Sequence, residues 1–205
     1  MFNLFILGLT GASGTGKSYA TQILEQEGFY IIDADNTART VVEAGRPCLK
    51  KLCEVFGEEI INNDGSLNRK ALAKSAFANK SSVDKLNSIT HPYIIKEINA
   101  ELAVLEQKGE KLVVLDAPTL FESGADSICD TIVAIIAPKE QCLKRIIERD
   151  FLTIEQARER INAQPIDEYY TSRAEYVIIN NDNIGTFTHQ IKELSAQLKN
   201  LIKNG

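Results

Sequence analysis

The 205-residue sequence lacks the features that mark several large classes of protein. Its four cysteines form no C-x-x-C pair and no zinc spacing, and its two histidines lie too far from them to complete a metal pattern. It has no apolar run of about 20 residues, the length of a membrane span. Its apolar N-terminal stretch, residues 1–9, has no basic flank and no small-residue cleavage site. We therefore expect a cytoplasmic protein whose cysteines are buried free thiols.

The sequence also lacks an excess of positive charge. Lysine and arginine number 23 against 28 aspartates and glutamates, which gives a net charge of -5 and argues against a general nucleic-acid binder. A hydrophobic content of 44% and a charged content of 25% are those of an ordinary soluble globule. We find no internal repeat and no low-complexity segment. The composition predicts one domain, or a core with a modest insertion, that needs no nucleic acid, membrane or obligate protein partner.

One stretch, Gly-Ala-Ser-Gly-Thr-Gly-Lys-Ser at residues 11–18, fits the phosphate-loop pattern G-x-x-x-x-G-K-[ST]. It follows an apolar, strand-like run at 4–9 and precedes a helix-forming run at 19–25. Glycines let the backbone wrap closely around a phosphate, and the helix directs its positive end at the same place. Lys17 would reach the terminal phosphates and the Ser18 hydroxyl would bind magnesium. The stretch therefore predicts a nucleoside triphosphate site; the alternative is a glycine-rich turn without a ligand.

The order of predicted strands and helices is typical of an α/β fold with a mostly parallel sheet. The predicted strands are apolar throughout, as expected when helices cover both faces of a sheet. After the first strand they lie at 29–32, 111–115, 131–136 and 176–179. Helices in the long interval before the third strand are predicted at about 36–43, 47–56, 68–77, 82–88 and 92–107. Pro47 and Pro92 would lie in first helical turns, where proline is tolerated. Later helices are predicted at about 139–149, 153–164 and 185–203.

Acidic residues follow two of the predicted strands. Asp33 ends the second strand, and ligands of open parallel sheets gather at the carboxyl ends of strands. A carboxylate there can accept the proton of an attacking hydroxyl, although a turn residue or a helix cap is the alternative. Asp35 is predicted to cap the next helix. Asp116 ends the third strand, where it would hold magnesium through water or make a structural hydrogen bond.

Basic residues lie on the helix after the fourth strand. Arg145 and Arg149 are four residues apart, so they share a helix face, and such charges often serve solvation alone. Here they lie where a lid could fold over a triphosphate and stabilise the charge of the transition state. His91 precedes Pro92 at a predicted helix start. A lone histidine is more often a structural residue than a ligand.

Taken together, these motifs resemble the dephospho-coenzyme A kinase family along nearly the full length of the chain. The phosphate loop alone is shared by many activities, whereas the ordered set is specific. The set comprises residues 11–18, 32–35 with 38–39, 64–69 with 72, 77–79, 86–92, 116–118 with 120–122, 145–150 and 160–164.

The resemblance implies a P-loop kinase fold: a parallel sheet flanked by helices, with a core at 1–35 and 108–205, a helical substrate-binding insertion at about 36–107 and a lid at about 145–170. It implies ATP and Mg²⁺ as cofactors. The reaction it implies is ATP-dependent phosphorylation of the ribose 3′-hydroxyl of dephospho-coenzyme A, the last step of coenzyme A synthesis.

The resemblance and the reasoning above also assign roles to residues. The catalytic set is Asp33, Lys17 and Arg145. The ATP-binding set is Gly11, Gly14, Thr15, Gly16, Lys17, Ser18, Tyr19, Arg145 and Arg149. The substrate-binding set is Asp33, Arg39, His91 and Pro92, and the metal set is Ser18 with Asp116 through water.

The sequence departs from the usual family pattern at a few positions. Thr119 stands where leucine is usual, Tyr19 where threonine is common and Glu175 where aspartate is frequent. Asn180-Asn181-Asp182 replaces an Asn-x-Gly turn, which leaves the adenine contacts open.

Two other functions compete with this assignment. Another small-molecule P-loop kinase would share the loop and the lid but not the large helical insertion. A nucleotide switch of the guanine-specific kind would need an N-K-x-D tetrapeptide, and the Asn-Lys at residues 79–80 is followed by two serines.

Overall fold

A computed structural model describes residues 4–181 and 183–204 of the chain. In these residues each strand is followed by one or more helical segments before the next strand begins. The strands are β1 Phe5–Thr10, β2 Tyr30–Asp33, β3 Leu112–Asp116, β4 Thr131–Ile136 and β5 Tyr176–Ile179. The helices are α1 Lys17–Gln26, α2 Ala34–Thr40, α3 Pro47–Phe56, α4 Arg69–Ala76, α5 Lys80–Gln107, α6 Lys139–Asp150, α7 Ile154–Asn162, α8 Asp167–Thr171 and α9 Ile184–Asn204. Short 3-10 helices lie at Glu58–Ile60 and Ala125–Ile128.

The strands form one sheet in the order β2-β3-β1-β4-β5. β1 pairs in parallel with both β3 and β4, so that Leu9 lies opposite Asp116 on one side and Val133 on the other. β4 pairs in parallel with β5. The predicted α/β fold with a parallel sheet is confirmed. β1 is the central strand, and the phosphate-loop sequence begins at its carboxyl end.

The described parts of residues 1–32 and 108–205 form one compact unit. Its core lies where α1 and α9 pack on the apolar strands. α9 contributes four buried residues to this core: Phe187, Ile191, Leu194 and Leu198. Leu201, nearer the end of the helix, is 59% exposed.

Two carboxylates accept hydrogen bonds from strand N–H groups at the amino-terminal edge of this sheet. Asp130 Oδ2 accepts a hydrogen bond of 2.7 Å from the backbone N–H of Ile6. Glu175 Oε2 accepts one of 2.7 Å from the N–H of Ile132. Two strand-end donors that lack a neighbour in the sheet are thereby satisfied. Glu175, one of the departures from the family pattern noted above, therefore has a structural contact in this chain.

Residues 33–107 form a second compact unit. Its core gathers apolar residues from α3, α4, α5 and the 3-10 helix, together with Val41 and Val42 just after α2, and Leu52 and Ile60 are fully buried. α3 begins at Pro47 as predicted. α2 begins at Ala34, before its predicted start, because the side chain of Asp33 accepts the N–H of Asn36 and caps the helix. The prediction that Asp35 is the cap is therefore wrong.

The prediction of two helices at 82–88 and 92–107 is also wrong, because α5 runs through Pro92 without a break. A proline inside a helix removes one backbone hydrogen bond, which favours a break. Here Leu86, Ile89 and Tyr93 all pack on the core of the second unit. Their spacing of three and four residues is that of one continuous helix face, so packing on both sides of Pro92 maintains the helix.

All four cysteines are free thiols, as predicted. Cys48 and Cys142 are buried, whereas Cys53 and Cys129 are only partly buried, so the predicted burial holds for two of them. Desolvation, with smaller contributions from the carboxylates of Asp126, Asp130 and Glu175, raises the pKa of Cys129 to about 12.

Among the described residues, none of the helices combines the length and apolar character needed to cross a bilayer.

Candidate active site

The phosphate loop joins the carboxyl end of β1 to the first turn of α1. Gly11, Gly14 and Gly16 all have positive φ, at 141°, 84° and 105°. Only glycine adopts such angles without strain, which explains the three glycines of the motif. Gly16 is the N-cap residue and Lys17 begins the helix. The geometry suits a concave anion site in front of a helix N-terminus.

Each of these glycines also lies against another part of the first unit. A Cβ on Gly11 would collide with the backbone oxygen of Ile135 in β4. One on Gly14 would lie 2.7 Å from the backbone oxygen of Cys142 in α6. One on Gly16 would collide with the side-chain amide of Asn180. Replacing any of the three with alanine would therefore displace the loop as well as strain its backbone.

Arg145 hydrogen-bonds both the phosphate loop and Asn180. Its Nη1 donates to Gly14 O at 2.9 Å and more weakly to Thr15 O at 3.4 Å. Its Nη2 donates to Asn180 Oδ1 at 3.2 Å, and Asn180 Nδ2 donates to Thr15 O at 2.9 Å. The sequence places Arg145 in a lid; the structure places its guanidinium against the carbonyl groups of the loop.

Arg149 belongs to an exposed ion-pair network beside the loop. It makes two 2.8 Å hydrogen bonds to Asp150, which also pairs with Arg160 at 2.6 Å. Arg149 Nη2 donates to Ser13 Oγ at 3.3 Å. Hydrogen bonding to Asp150 raises the pKa of Arg149 and lowers that of Asp150. The network holds a cation next to the phosphate loop.

Gln164 connects the end of α7 to the same loop. Its Oε1 accepts a hydrogen bond of 2.6 Å from the backbone N–H of Ser13, and its Nε2 donates to Arg160 O at 2.9 Å. A cleft of about 210 Å³ opens beside this contact, lined by loop residues and by the chain from Ile161 to Asp167. The predicted lid segment thus contacts the phosphate loop at the backbone N–H of Ser13, a group able to bind an anion.

Oxygen donors suited to magnesium lie at the first turns of α1. Ser18 is exposed in the first turn of this helix. The hydroxyl of Thr21, one turn later, donates to Asp116 Oδ2 at 3.0 Å and so holds this carboxylate against α1. Mg²⁺ is commonly bound by one or two protein oxygens together with phosphate oxygens and water. Ser18 and Asp116 fit this chemistry, and the described residues contain no cluster of three acidic, histidine or cysteine ligands that would form a complete protein cage.

Tyr19 has contacts inside the first unit. Its hydroxyl lies 3.0 Å from Thr188 Oγ1, and its ring stacks on Phe187 with centroids 6.0 Å apart. These contacts fix α1 against α9 and so support the helix that begins at Lys17.

The other predicted site residues belong to the second unit. Asp33 is exposed, ends β2 and caps α2, using its Oδ1 atom for the cap. Arg39 is exposed in the last turn of α2. His91 is half-buried and Pro92 is exposed in the middle of α5.

Three contacts around the loop were not predicted, namely those of Asn180, Gln164 and Thr21. Gln164 lies in one of the motifs that carry the family resemblance, and Asn180 opens the turn that departs from it. The sequence therefore singles out both residues, but it does not indicate what either of them contacts. Asp182, the last residue of that turn, lies outside the described residues.

The fold and the loop together define the class of protein. A parallel sheet whose central strand leads through a glycine-rich loop and a Lys-Ser pair into a helix is a P-loop kinase fold. A shikimate kinase from Acinetobacter baumannii shares this fold at a TM-score of 0.52 and 16% identity, over 98% of this chain and 94% of that one.

Closer similarities identify the family. The family model for dephospho-CoA kinase matches residues 5–186. A dephospho-CoA kinase from Corynebacterium efficiens is 40% identical over 96% of this chain and 98% of its own length. The structure of a dephospho-CoA kinase from Campylobacter jejuni matches with a TM-score of 0.71 and 28% identity, over 97% of this chain and 98% of that chain. This chain belongs to the dephospho-CoA kinase family.

Proposed function

We propose that this protein transfers the γ-phosphoryl group of ATP to the ribose 3′-hydroxyl of dephospho-coenzyme A, giving coenzyme A and ADP. The observation that carries the proposal is the ordered phosphate loop at the end of the central strand, in a chain of this family. We further propose that the enzyme acts in the cytoplasm on this small molecule, without nucleic acid or an obligate protein partner.

The first unit would bind the nucleotide. The loop glycines and Thr15 present backbone N–H groups to the phosphates, and Lys17 neutralises their terminal charge. Arg145 and Arg149 supply further positive charge beside the loop, and residues of about 145–170 act as a lid. Ser18, and Asp116 through water, would hold Mg²⁺, which neutralises charge on the phosphates when bound.

The second unit would bind the acceptor, as an insertion of about 36–107 into a core of 1–35 and 108–205. Arg39, His91 and Pro92 are assigned to the substrate side. Asp33 would accept the proton of the 3′-hydroxyl while that oxygen forms a bond to the γ-phosphorus and the bond to the ADP oxygen breaks. Because the helix cap occupies Oδ1, Oδ2 is the atom assigned to the proton.

Asp33→Asn tests this assignment. Asparagine caps a helix as well as aspartate does, so α2 should keep its stability while the basic oxygen is lost. We expect turnover at saturating ATP and magnesium to fall about 10²–10⁴-fold. Dephospho-coenzyme A should still bind within a small factor, as measured by calorimetry.

Asp84→Asn is the matched control, since it makes the same change at an exposed position on α5 in the same unit. It should leave turnover within a few-fold of the parent. A similar rate in Asp33→Asn would remove Asp33 from the mechanism. Loss of metal-dependent ATP binding alone would make Asp33 a residue of the magnesium site.

A further inference from the structure

Asn180 is a buried polar residue to which the proposed mechanism gives no role. It is 7% exposed and lies directly after β5. Its backbone N–H donates to Ile136 O at 2.9 Å, which continues the pairing of β5 with β4 by one residue. Its side chain therefore projects from the end of the sheet and not from a loose loop.

Both ends of the Asn180 amide are bonded at the phosphate loop. Nδ2 donates to Thr15 O at 2.9 Å. Oδ1 accepts from Arg145 Nη2 at 3.2 Å, and Nη1 of the same guanidinium donates to Gly14 O at 2.9 Å. The two side chains and two consecutive loop carbonyls thus form a closed set of hydrogen bonds. The absence of a side chain at Gly16 makes room for the amide, because a Cβ there would collide with Nδ2.

This arrangement fixes the direction of a loop N–H group. In a trans peptide the C=O and N–H groups point in opposite directions. Thr15 O and the N–H of Gly16 belong to the same peptide unit. When Asn180 holds the carbonyl on its own side of the loop, the Gly16 N–H must face the other side. A phosphate-binding loop works by directing such N–H groups at the anion.

We propose that Asn180 is a positioning residue for ATP. It acts through the phosphate loop, by orienting the Thr15–Gly16 peptide, and not by contact with the adenine base. The inference rests on the ATP use proposed above, but it concerns only the triphosphate and makes no use of the acceptor.

The test compares ATP with inorganic tripolyphosphate, which has the phosphates but no base. Both are titrated by calorimetry, with magnesium, into the parent, Asn180→Ala and Asn180→Asp. Asn180→Ala removes both hydrogen bonds of the buried amide, including the one that holds Thr15 O, and should weaken both ligands by the same factor, about tenfold or more. Asn180→Asp keeps the acceptor for Arg145 but loses the donor to Thr15 O, so it should weaken both ligands at least as much. Ile178→Val, a mild core change on the same strand, should leave both affinities unchanged.

Thermal unfolding of each variant without ligand separates a folding defect from a binding defect. If Asn180→Ala does not unfold cooperatively, the Asn180→Asp titrations decide the question. Equal losses for the two ligands support the proposal. Unchanged tripolyphosphate affinity overturns it, whether ATP affinity is unchanged or reduced, and a loss confined to ATP makes Asn180 a base contact. A failure of dephospho-coenzyme A to be phosphorylated by the parent would contradict the proposed function and leave this comparison interpretable.

Discussion

Lys17 offers the most direct test at the scale of single residues. It begins α1 directly after the loop, where a lysine can reach the terminal phosphates. We expect Lys17→Ala to lower turnover by at least about 10²-fold, because it removes a charge that stabilises the transition state. The melting temperature should change little. Lys192→Ala, an exposed lysine of α9, is the control; near-normal activity in Lys17→Ala would contradict the phosphate-loop assignment.

The local motif around Lys17 could be predicted because its residues are consecutive and each has a defined chemical role. The partner of Thr15 could not, because Asn180 lies 165 residues away in the sequence. The same holds for Arg145, whose helix position was predicted but whose contacts depend on how α6 packs on the loop. Sequence spacing gives neighbours along a helix, and it does not give neighbours across a fold.

At the scale of elements, Pro92 in α5 has a measurable effect on stability. Its ring nitrogen cannot donate to the carbonyl of Ser88, so α5 lacks one backbone hydrogen bond. We expect Pro92→Ala to raise the free energy of unfolding by about 1–3 kcal/mol, as measured by urea denaturation. Pro47→Ala is the control, because proline at the start of α3 is tolerated and its loss should matter less. A lower stability in Pro92→Ala would mean that the helix is adapted to proline.

The strands and most helices could be predicted because they are long, apolar or clearly capped, as at Thr153 and Gln156, which form the capping box that opens α7. The start of α2 and the continuity of α5 could not. In both cases a local rule was applied correctly and a stronger interaction prevailed: a cap by Asp33 in the first, and packing on both sides of Pro92 in the second.

At the scale of the whole molecule, Cys129, near the amino-terminal edge of the sheet, should make the free energy of unfolding depend on pH. A thiol whose pKa is raised in the folded state stabilises the fold fully below its ordinary value, 9.0, and this contribution is lost as the pH rises toward about 12. We expect the free energy of unfolding to fall as the pH rises from 9.0 toward about 12, and to fall less steeply in Cys129→Ala than in the parent. Urea denaturation at pH 8 to 11 measures the difference.

Cys53→Ala is the control for Cys129→Ala, since lysines and tyrosines that titrate in this range are common to both variants. In the folded parent at pH 8, Cys129 should also resist alkylation, because its raised pKa keeps the thiol in the unreactive protonated form. Identical pH profiles for the parent and both variants would show that the environment of Cys129 does not favour the neutral thiol.

The three glycines of the phosphate loop have one more consequence. Each lies against a different part of the first unit, β4, α6 or the residue after β5, so the loop packs closely on the rest of the unit at three points. Fixing the backbone of a residue costs about 1–2 kcal/mol of conformational entropy. The loop loses this conformational entropy when the first unit folds. Binding of a triphosphate therefore costs little further conformational entropy in the loop. The binding energy of the phosphates is then free to act on the reacting group.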